Sequence, residues 1–416
     1  MYRFDDPGRG LDSSGVTPLS APVAVAIPAK DEADRLPGCL AALARQRDRS
    51  GRALGRDAFS VVLYANNCRD DSASLARSLG ERLGLRLSVV EACLPPADAN
   101  AGHARRAAMD HAEFSLAGTA RNGVILTTDA DSRVPPLWVS DNLAAIHAGA
   151  DAVLGRVDLD EEGALLPDAL HRRGKLENEY ETLLTELSAR LDPVDFNPWP
   201  HHATISGASL AVTRASYLRA GRMPRVPLGE DKAFVAELFR CDARIRYSPD
   251  IVVTTSGRLK GRAPGGVADT LRLRCADLQS TCDEALEPFR IAMKRAKWRG
   301  CIRHLFATGR LARNLEWAEL LGVSAPDARR AHQAKTFGAA WSAIEAASPL
   351  LGRRFLTPAE LPGQIAGARR ALKRIRKGVL TASENVEPEV RISIAASEDH
   401  RLAHGPNERI DGLVAR

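Results

Sequence analysis

The chain is poor in aromatic residues: Phe, Trp and Tyr make up 5% of its 416 residues. Proteins that bind single-stranded nucleic acid stack bases on aromatic side chains, so that class finds little support. Cysteine is sparse as well. The seven cysteines stand at 39, 68, 93, 241, 275, 282 and 301, form no C-x-x-C pair and are odd in number. A zinc knuckle or a disulfide framework is therefore disfavoured, and reduced, mostly buried thiols fit better. No apolar run approaches the ~18 residues a membrane-spanning helix needs. The N-terminal stretch MYRFDDPGRGLDSSG has no apolar core segment. It reads neither as a signal peptide nor as a mitochondrial presequence, and the expected location is the cytoplasm. Several catalytic signatures are also missing: G-x-S-x-G, H-E-x-x-H, a Walker loop, and G-x-G-x-x-G after a strand.

What is present is an ordinary globular composition, 44% hydrophobic and 26% charged, at a length that exceeds what one core usually serves. Two units, or one unit with a long appendage, are expected. The net charge of +6 is unevenly spread. Residues 1–255 hold 30 Lys and Arg against 35 Asp and Glu, whereas residues 256–380 hold 24 against 10. A basic second half suits an anionic partner such as a diphosphate, an acidic acceptor or a membrane surface. It equally suits a solvated Arg-rich helical face.

Short apolar runs punctuate the first half: Val23 to Ile27, Val61 to Tyr64 and Val124 to Leu126, with Leu85 to Val90 as a weaker fourth. Each is short and rich in β-branched residues, as buried strands are. Helical spacing follows the first run (Leu36, Leu40, Leu43) and the second (Ser72 to Leu83). Alternation of this kind predicts a parallel sheet covered on both faces, with ligands bound beyond the carboxyl ends of its strands. Beyond residue 255 the spacing predicts helices over Thr270 to Lys297 and Asp327 to Ala347. A short basic helix is predicted over Ala368 to Lys377, in a stretch interrupted by Gly363, Gly367 and Gly378.

The chemistry-bearing residues follow the runs. Asp129 and Asp131, two positions apart at a strand end, could share Mg²⁺ or Mn²⁺ as hard oxygen donors and so neutralise a departing diphosphate. The same D-x-D pattern also arises by chance or as a helix cap. Glu230 and Asp231 open a helix, where a carboxylate either complements the dipole or serves as a general base. Asn100 to Arg106 places small residues before Arg105 and Arg106. That pattern fits a phosphate site, and fits equally a basic helix start on the surface. Ser206-Gly207-Ala208-Ser209 would leave room for a sugar or acceptor. The preceding His201 and His202 point to different sides of an extended chain, which disfavours a shared metal. Thr255 to Arg262 is a glycine-loosened basic loop carrying Arg258 and Arg262. It could close over a diphosphate or simply link two units.

Taken in order, Ile27-Pro28-Ala29-Lys30-Asp31-Glu32, Asn66 to Ser72, Ala101 to Arg106, Thr128 to Asp131, Ser206 to Ser209 and Gly229-Glu230-Asp231 resemble the family 2 glycosyltransferases across roughly residues 21–257. The resemblance implies an α/β fold of the GT-A (Rossmann-like) type, a mostly parallel sheet flanked by helices, followed here by an α-helical C-terminal extension. The implied organisation is a flexible N-terminus (1–20), the GT-A domain (21–257), a basic helical extension (258–380) and a flexible tail (381–416). It implies transfer of a sugar from a nucleotide diphosphate sugar, UDP or GDP type, to an acceptor hydroxyl. Inversion at the anomeric carbon would follow, with Asp231 as general base.

Carried over position by position, Pro28, Ala29, Glu32 and Asn67 would hold the nucleoside. Asp129 and Ala130 would hold ribose and diphosphate, and Asp131, with Asp129, the Mg²⁺ or Mn²⁺. Arg105, Arg106, Arg258 and Arg262 would offset diphosphate charge, while Gly207, Ala208 and Glu230 would border the acceptor. The expected partners are the nucleotide diphosphate sugar and an acceptor that is a small molecule, lipid or glycan. Nucleic acid is not expected; peripheral membrane contact and a homodimer stay open. Two positions depart from the family pattern: Asp31 stands where Asn is common, and Asn67 where Asp is. The Q-x-x-R-W motif of processive synthases is absent, so a non-processive enzyme is expected. The rival readings are a sugar-phosphate nucleotidyltransferase, a non-catalytic nucleotide-sugar-binding protein, and a retaining mechanism.

Overall fold

The computed structural model describes residues 21–118, 123–261, 265–313 and 315–378. The two segments expected to be flexible and Arg262 lie outside the described residues. Within them seven strands form one sheet: β1 (Val23–Ala29), β2 (Ser60–Asn66), β3 (Leu87–Ala92), β4 (Val124–Thr127), β5 (Ala152–Leu159), β6 (Leu210–Thr213) and β7 (Ile245–Thr255). Their spatial order is β3-β2-β1-β4-β6-β5-β7. All neighbours run parallel except those of β6, which is antiparallel to β4 and to β5. The mostly parallel α/β sheet implied by the GT-A resemblance is therefore the one observed.

Helices α1 (Leu36–Ala44), α2 (Ser72–Arg82), α3 (Ala101–Ser115) and α4 (Trp138–His147) follow β1 to β4 in turn. After β5 come α5 (Glu161–Ala164) and the long α6 (Asp168–Leu191); α7 (Arg214–Arg219) and α8 (Glu230–Arg240) separate β6 from β7. Strand β1 shows why two helical layers form. Val23, Val25 and Ile27 point into one core with Leu36, Leu40, Ala76 and Leu143. Ala24 and Ala26 point into the other with Ala104, Ala108, Ala112 and Phe234. Alanine meeting alanine lets α3 lie close against the sheet, which brings the first turns of α3 next to the carboxyl ends of β1 and β4.

Two strands, β5 and β6, escaped the sequence reading, whereas the apolar run Ile251-Val252-Val253 before the Thr255 loop marks β7. The second half of β5 carries Arg156 and Asp158, which are exposed or nearly so, and so shows no apolar run. Its Gly155 sits where the register with β7 shifts, and a Cβ there would meet Ser209 Oγ at 2.3 Å. Strand β6 has four residues and follows a small-residue stretch that reads as loop.

Beyond β7 the chain is helical: α9 (Val267–Ala276), α10 (Phe289–Ala307), α11 (Glu316–Leu320), α12 (Ala325–His332), α13 (Phe337–Ala347) and α14 (Leu361–Arg376). The two long helices expected here are each broken. Thr270 to Lys297 divides at Pro288, which starts α10 because proline fits a helix start but not its interior. Asp327 to Ala347 divides at Thr336, whose hydroxyl caps α13. The short basic helix is longer than expected. Gly367 lies inside it, because a Cβ there would meet Phe289 Cε1 at 2.3 Å.

The extension packs on α6, where Tyr180, Leu184 and Leu187 share a core with Leu361, Ile365 and Leu372. It also docks on the sheet unit. Asp242 accepts from the backbone N–H groups of Phe337 (2.9 Å) and Gly338 (2.7 Å), capping α13. Much of its positive charge is consumed internally. Arg299 and Arg303 both donate to the buried Asp192, and Arg295 to the buried Glu287. No helix among the described residues is long and apolar enough to cross a membrane.

Candidate active site

The carboxyl ends of β1, β2 and β4 converge, and polar loops close over them. Asp31 and Asn67 adopt left-handed backbone, φ 52° and 53°, a region that Asn and Asp tolerate better than most residues. The two loops are stapled together. Asp31 accepts from the Arg69 N–H at 2.6 Å, Asp70 from the Ala33 N–H at 3.0 Å, and the Glu32 N–H donates to Ser72 Oγ at 2.8 Å. Asp31, Cys68 and Asp70 bring ligand-type atoms within 4.8 Å of one another. Asp31 and Asp70 already accept backbone N–H bonds there, and Cys68 Sγ takes the Asp31 N–H at 3.4 Å. The Asn67 amide is held at both ends by Leu94, donating to its carbonyl (2.9 Å) and accepting from its N–H (3.0 Å).

Arg105, in the second turn of α3, is the hub of the site. Nε donates to Glu230 (2.9 Å), Nη1 to Thr127 Oγ1 (3.1 Å) and to the Gly207 carbonyl (3.0 Å), and Nη2 to Asp129 (2.6 Å). Burial works against its charge, but Asp129 and Glu230 outweigh that and hold the guanidinium above its ordinary pKa. Gly207 is required by this arrangement, since a Cβ there would lie 2.3 Å from Arg105 Cζ. Gly102, one turn earlier, is equally constrained: a Cβ would lie 1.8 Å from the Val226 carbonyl oxygen.

A second arginine closes the other side. Arg258 donates from both Nη atoms to Glu32 (2.9 and 2.5 Å), and Nη2 lies 3.1 Å from Asp131 Oδ2. Asp131 also accepts from Thr255 Oγ1 at 3.3 Å. Burial first, and then the charge of Asp129, push the Asp131 carboxyl up to about 7, against the pull of Arg258. Two partly buried carboxylates two positions apart, one of them with its ionisation opposed by burial and by its neighbour's charge, suit a hard divalent cation. Asp129 and Asp131 thus supply the donor chemistry expected of a Mg²⁺ or Mn²⁺ site.

Asp231 sits in the first turn of α8, after Gly229 in left-handed conformation (φ 71°). Its Oδ1 accepts from the Lys232 N–H at 2.7 Å and its Oδ2 from the Gly207 N–H at 3.1 Å. Burial raises its pKa, the Glu230 charge adds to this, and Arg105 opposes it. Gly207 therefore joins the two halves: its carbonyl accepts from the arginine that holds Asp129, and its N–H donates to Asp231. The neighbouring Lys232 donates to Glu284 of the extension at 2.8 Å.

The structure gathers Arg105, Asp129, Gly207, Glu230 and Asp231 into one network and Glu32, Asp131 and Arg258 into a second, and the two meet along the segment Asp129-Ala130-Asp131. Pro28 and Ala29 belong to β1 at its edge, and Ala130 and Ala208 are buried beside the carboxylates. Arg106 is not brought into either network: it turns to Asp110 (2.9 Å) and the Met223 carbonyl (2.5 Å). Burial lowers the His202 pKa to about 4, and both its ring nitrogens are engaged by backbone. Sequence reasoning did not single out Thr127, and it named Thr255 only as the first residue of the basic loop. Each is the last residue of a strand, which is the signal that could have found them.

Residues 24–206 match the family model described as Glycosyl transferase family 2. No curated protein matches the chain. Among solved structures the chain is similar to S. aureus TarS 1-349 in complex with UDP-GlcNAc, at 15% identity and TM-score 0.41, over 86% of this chain and 92% of that one. It is also similar to the mannosyltransferase PcManGT from Pyrobaculum calidifontis in complex with GDP-Man and Mn²⁺, at 17% identity and TM-score 0.40, over 94% and 84%. Residues 24–206, somewhat under half of the chain, therefore form the segment that matches glycosyl transferase family 2.

Proposed function

We propose that the enzyme moves a sugar from a nucleotide diphosphate sugar, of UDP or GDP type, to an acceptor hydroxyl, with inversion and with Asp231 as general base. The observation that carries this is the Gly207 bridge, which sets a carboxylate with a raised pKa beside the Arg105–Asp129 pair. Each Asp231 oxygen accepts one backbone N–H, so each keeps a lone pair for a proton. Asp231 takes the acceptor proton as the acceptor oxygen bonds to the anomeric carbon. The bond from that carbon to the diphosphate oxygen breaks, and the electron pair leaves with the diphosphate.

Glu32, Pro28, Ala29 and Asn67 would face the nucleoside. Asp131, with Asp129, would hold Mg²⁺ or Mn²⁺, which when bound supplies Lewis-acid neutralisation of diphosphate charge. Arg105 spends four donors on protein groups. Its part is therefore to hold Asp129 and Glu230 in place, and Arg258 is the better source of countercharge for the diphosphate. Arg258 stands on Glu32 and Asp131 and could exchange those partners for phosphate oxygens.

Replacing Asp231 with Asn is expected to lower turnover by ~10²–10⁴ while leaving donor binding intact. A thermal-shift panel of UDP, GDP and dTDP sugars, with and without Mn²⁺, identifies the donor as the ligand that raises Tm most. Undiminished turnover in the Asn variant would remove Asp231 from the mechanism.

A further inference from the structure

Helix α14 carries a charge pattern that differs from the rest of the basic extension. Arg295, Arg299 and Arg303 of α10 all reach carboxylates, as do Arg369 and Arg376 of α14 itself. Arg370, Lys373, Arg374 and Lys377 do not. All four are exposed, and among the described residues none has a hydrogen-bond or ion-pair partner. Their spacing of i, i+3, i+4 and i+7 places them on one face of the helix, two turns long and ~10.5 Å from end to end. The opposite face is fixed: Leu361, Ile365, Ala368 and Leu372 are buried against α6. From Leu361 to Lys377 there is no acidic residue to neutralise the row. Four like charges at these spacings repel one another, which costs helix stability unless an anion is opposite.

We infer that this face of α14 docks the protein on an anionic lipid bilayer, with Arg370, Lys373, Arg374 and Lys377 against the headgroups. The patch is compact and carries no aromatic side chain. Single-stranded nucleic acid would want stacking platforms. Lipids diffuse laterally, so acidic headgroups gather under a compact cluster of cations without any matching of spacing. The inference does not depend on the identity of the donor or acceptor, because none of the four residues belongs to the sugar-transfer site.

Flotation of the full-length chain with phosphatidylcholine vesicles, and with mixed phosphatidylcholine–phosphatidylglycerol vesicles, tests it. Four basic residues near the surface should strengthen partition to the acidic vesicles on the order of a thousandfold, and added salt should reverse it. R370Q/K373Q/R374Q/K377Q should lose this preference, and K373Q/R374Q alone should lose about thirtyfold. R82Q/R86Q, which removes two exposed cations from the β2–β3 connection, should bind more than tenfold better than K373Q/R374Q. Unchanged Tm in each variant separates lost docking from lost folding. Equal binding to both vesicle types, or acidic binding kept by the fourfold variant, would overturn the inference. So would tighter capture of a nucleic-acid oligomer that the same four substitutions abolish, since the face would then belong to that partner.

Discussion

Placing a single methyl group at position 207 should separate the two halves of the active site. Ideal geometry puts the new Cβ of Gly207→Ala 2.3 Å from Arg105 Cζ and 2.5 Å from its Nε, closer than any non-bonded contact allows. The arginine cannot yield freely. Its side chain is buried, and four hydrogen bonds tie it to Glu230, Thr127, Gly207 and Asp129. Either the guanidinium moves and leaves two carboxylates badly paired, or the loop at 207 moves and withdraws its N–H from Asp231. Hydrogen bonds to charged groups contribute about 1.5–3 kcal/mol each, and breaking a buried pair about 3–5 kcal/mol. Allowing for partial relaxation, a loss of about 3 kcal/mol is expected, against the 5–15 kcal/mol that holds a typical domain folded. Urea denaturation at constant m-value reads this directly. Gly174→Ala in α6 is the matched control. A Cβ there meets nothing within 4 Å, so that variant should gain about 0.5–1 kcal/mol from helix propensity. Turnover should fall sharply in Gly207→Ala and not in the control. A Gly207→Ala enzyme within about 0.5 kcal/mol of the parent, with its turnover intact, would refute the network as drawn.

The raised Asp231 pKa predicts that kcat/KM falls on the acid side with a midpoint above the ordinary aspartate value of about 3.9, and a pH–rate profile should lose that limb in the Asn variant. Asp192→Asn strands Arg299 and Arg303 and should destabilise the join of α6 and α10 by about 3–5 kcal/mol by calorimetry. The folded-state pKa of Asp192 is lowered, burial being outweighed by Arg303 and Arg299. Its stability contribution is therefore present above the unfolded value of about 3.9 and lost as pH falls through the folded one, so the gap between parent and variant should close in acid. Asp131 has the opposite sign. Its contribution is present below about 3.9 and lost as pH rises through about 7. Without metal, Asp131→Asn should therefore gain Tm relative to the parent as the pH is raised from 5 to about 8, and it should lose the stabilisation that Mn²⁺ gives the parent.

Local pattern made a good deal of this protein legible. The runs at Val23, Val61 and Val124 are strands because buried parallel strands need unbroken apolar side chains, and the polar loops after them lie at the sheet edge because backbone direction puts them there. Helix α8 opens at Glu230 and α3 at Ala101, where the sequence placed helix starts. The partners of the charged residues could not be read in this way. Arg105 and Arg106 are neighbours in sequence, yet a helical step of about 100° sends one to Asp129 and the other to Asp110 and Met223. The basic extension looked like a source of anion-binding charge, and much of it is spent on Asp192, Glu287 and other internal carboxylates.

The sequence by itself determined the alternation of strand and helix, the acidic and glycine-bearing loops at the strand ends, and the match to a family of sugar-transferring enzymes. Only the tertiary structure decided that β6 runs against its neighbours, that Gly207 must lack a side chain, and that Arg105 holds Asp129 and Glu230 together. The physical reason is distance along the chain. Arg105 meets Thr127, Asp129, Gly207 and Glu230 across 22, 24, 102 and 125 residues. Contacts of that range are set by how the two helical layers pack on the sheet, and no local periodicity encodes them.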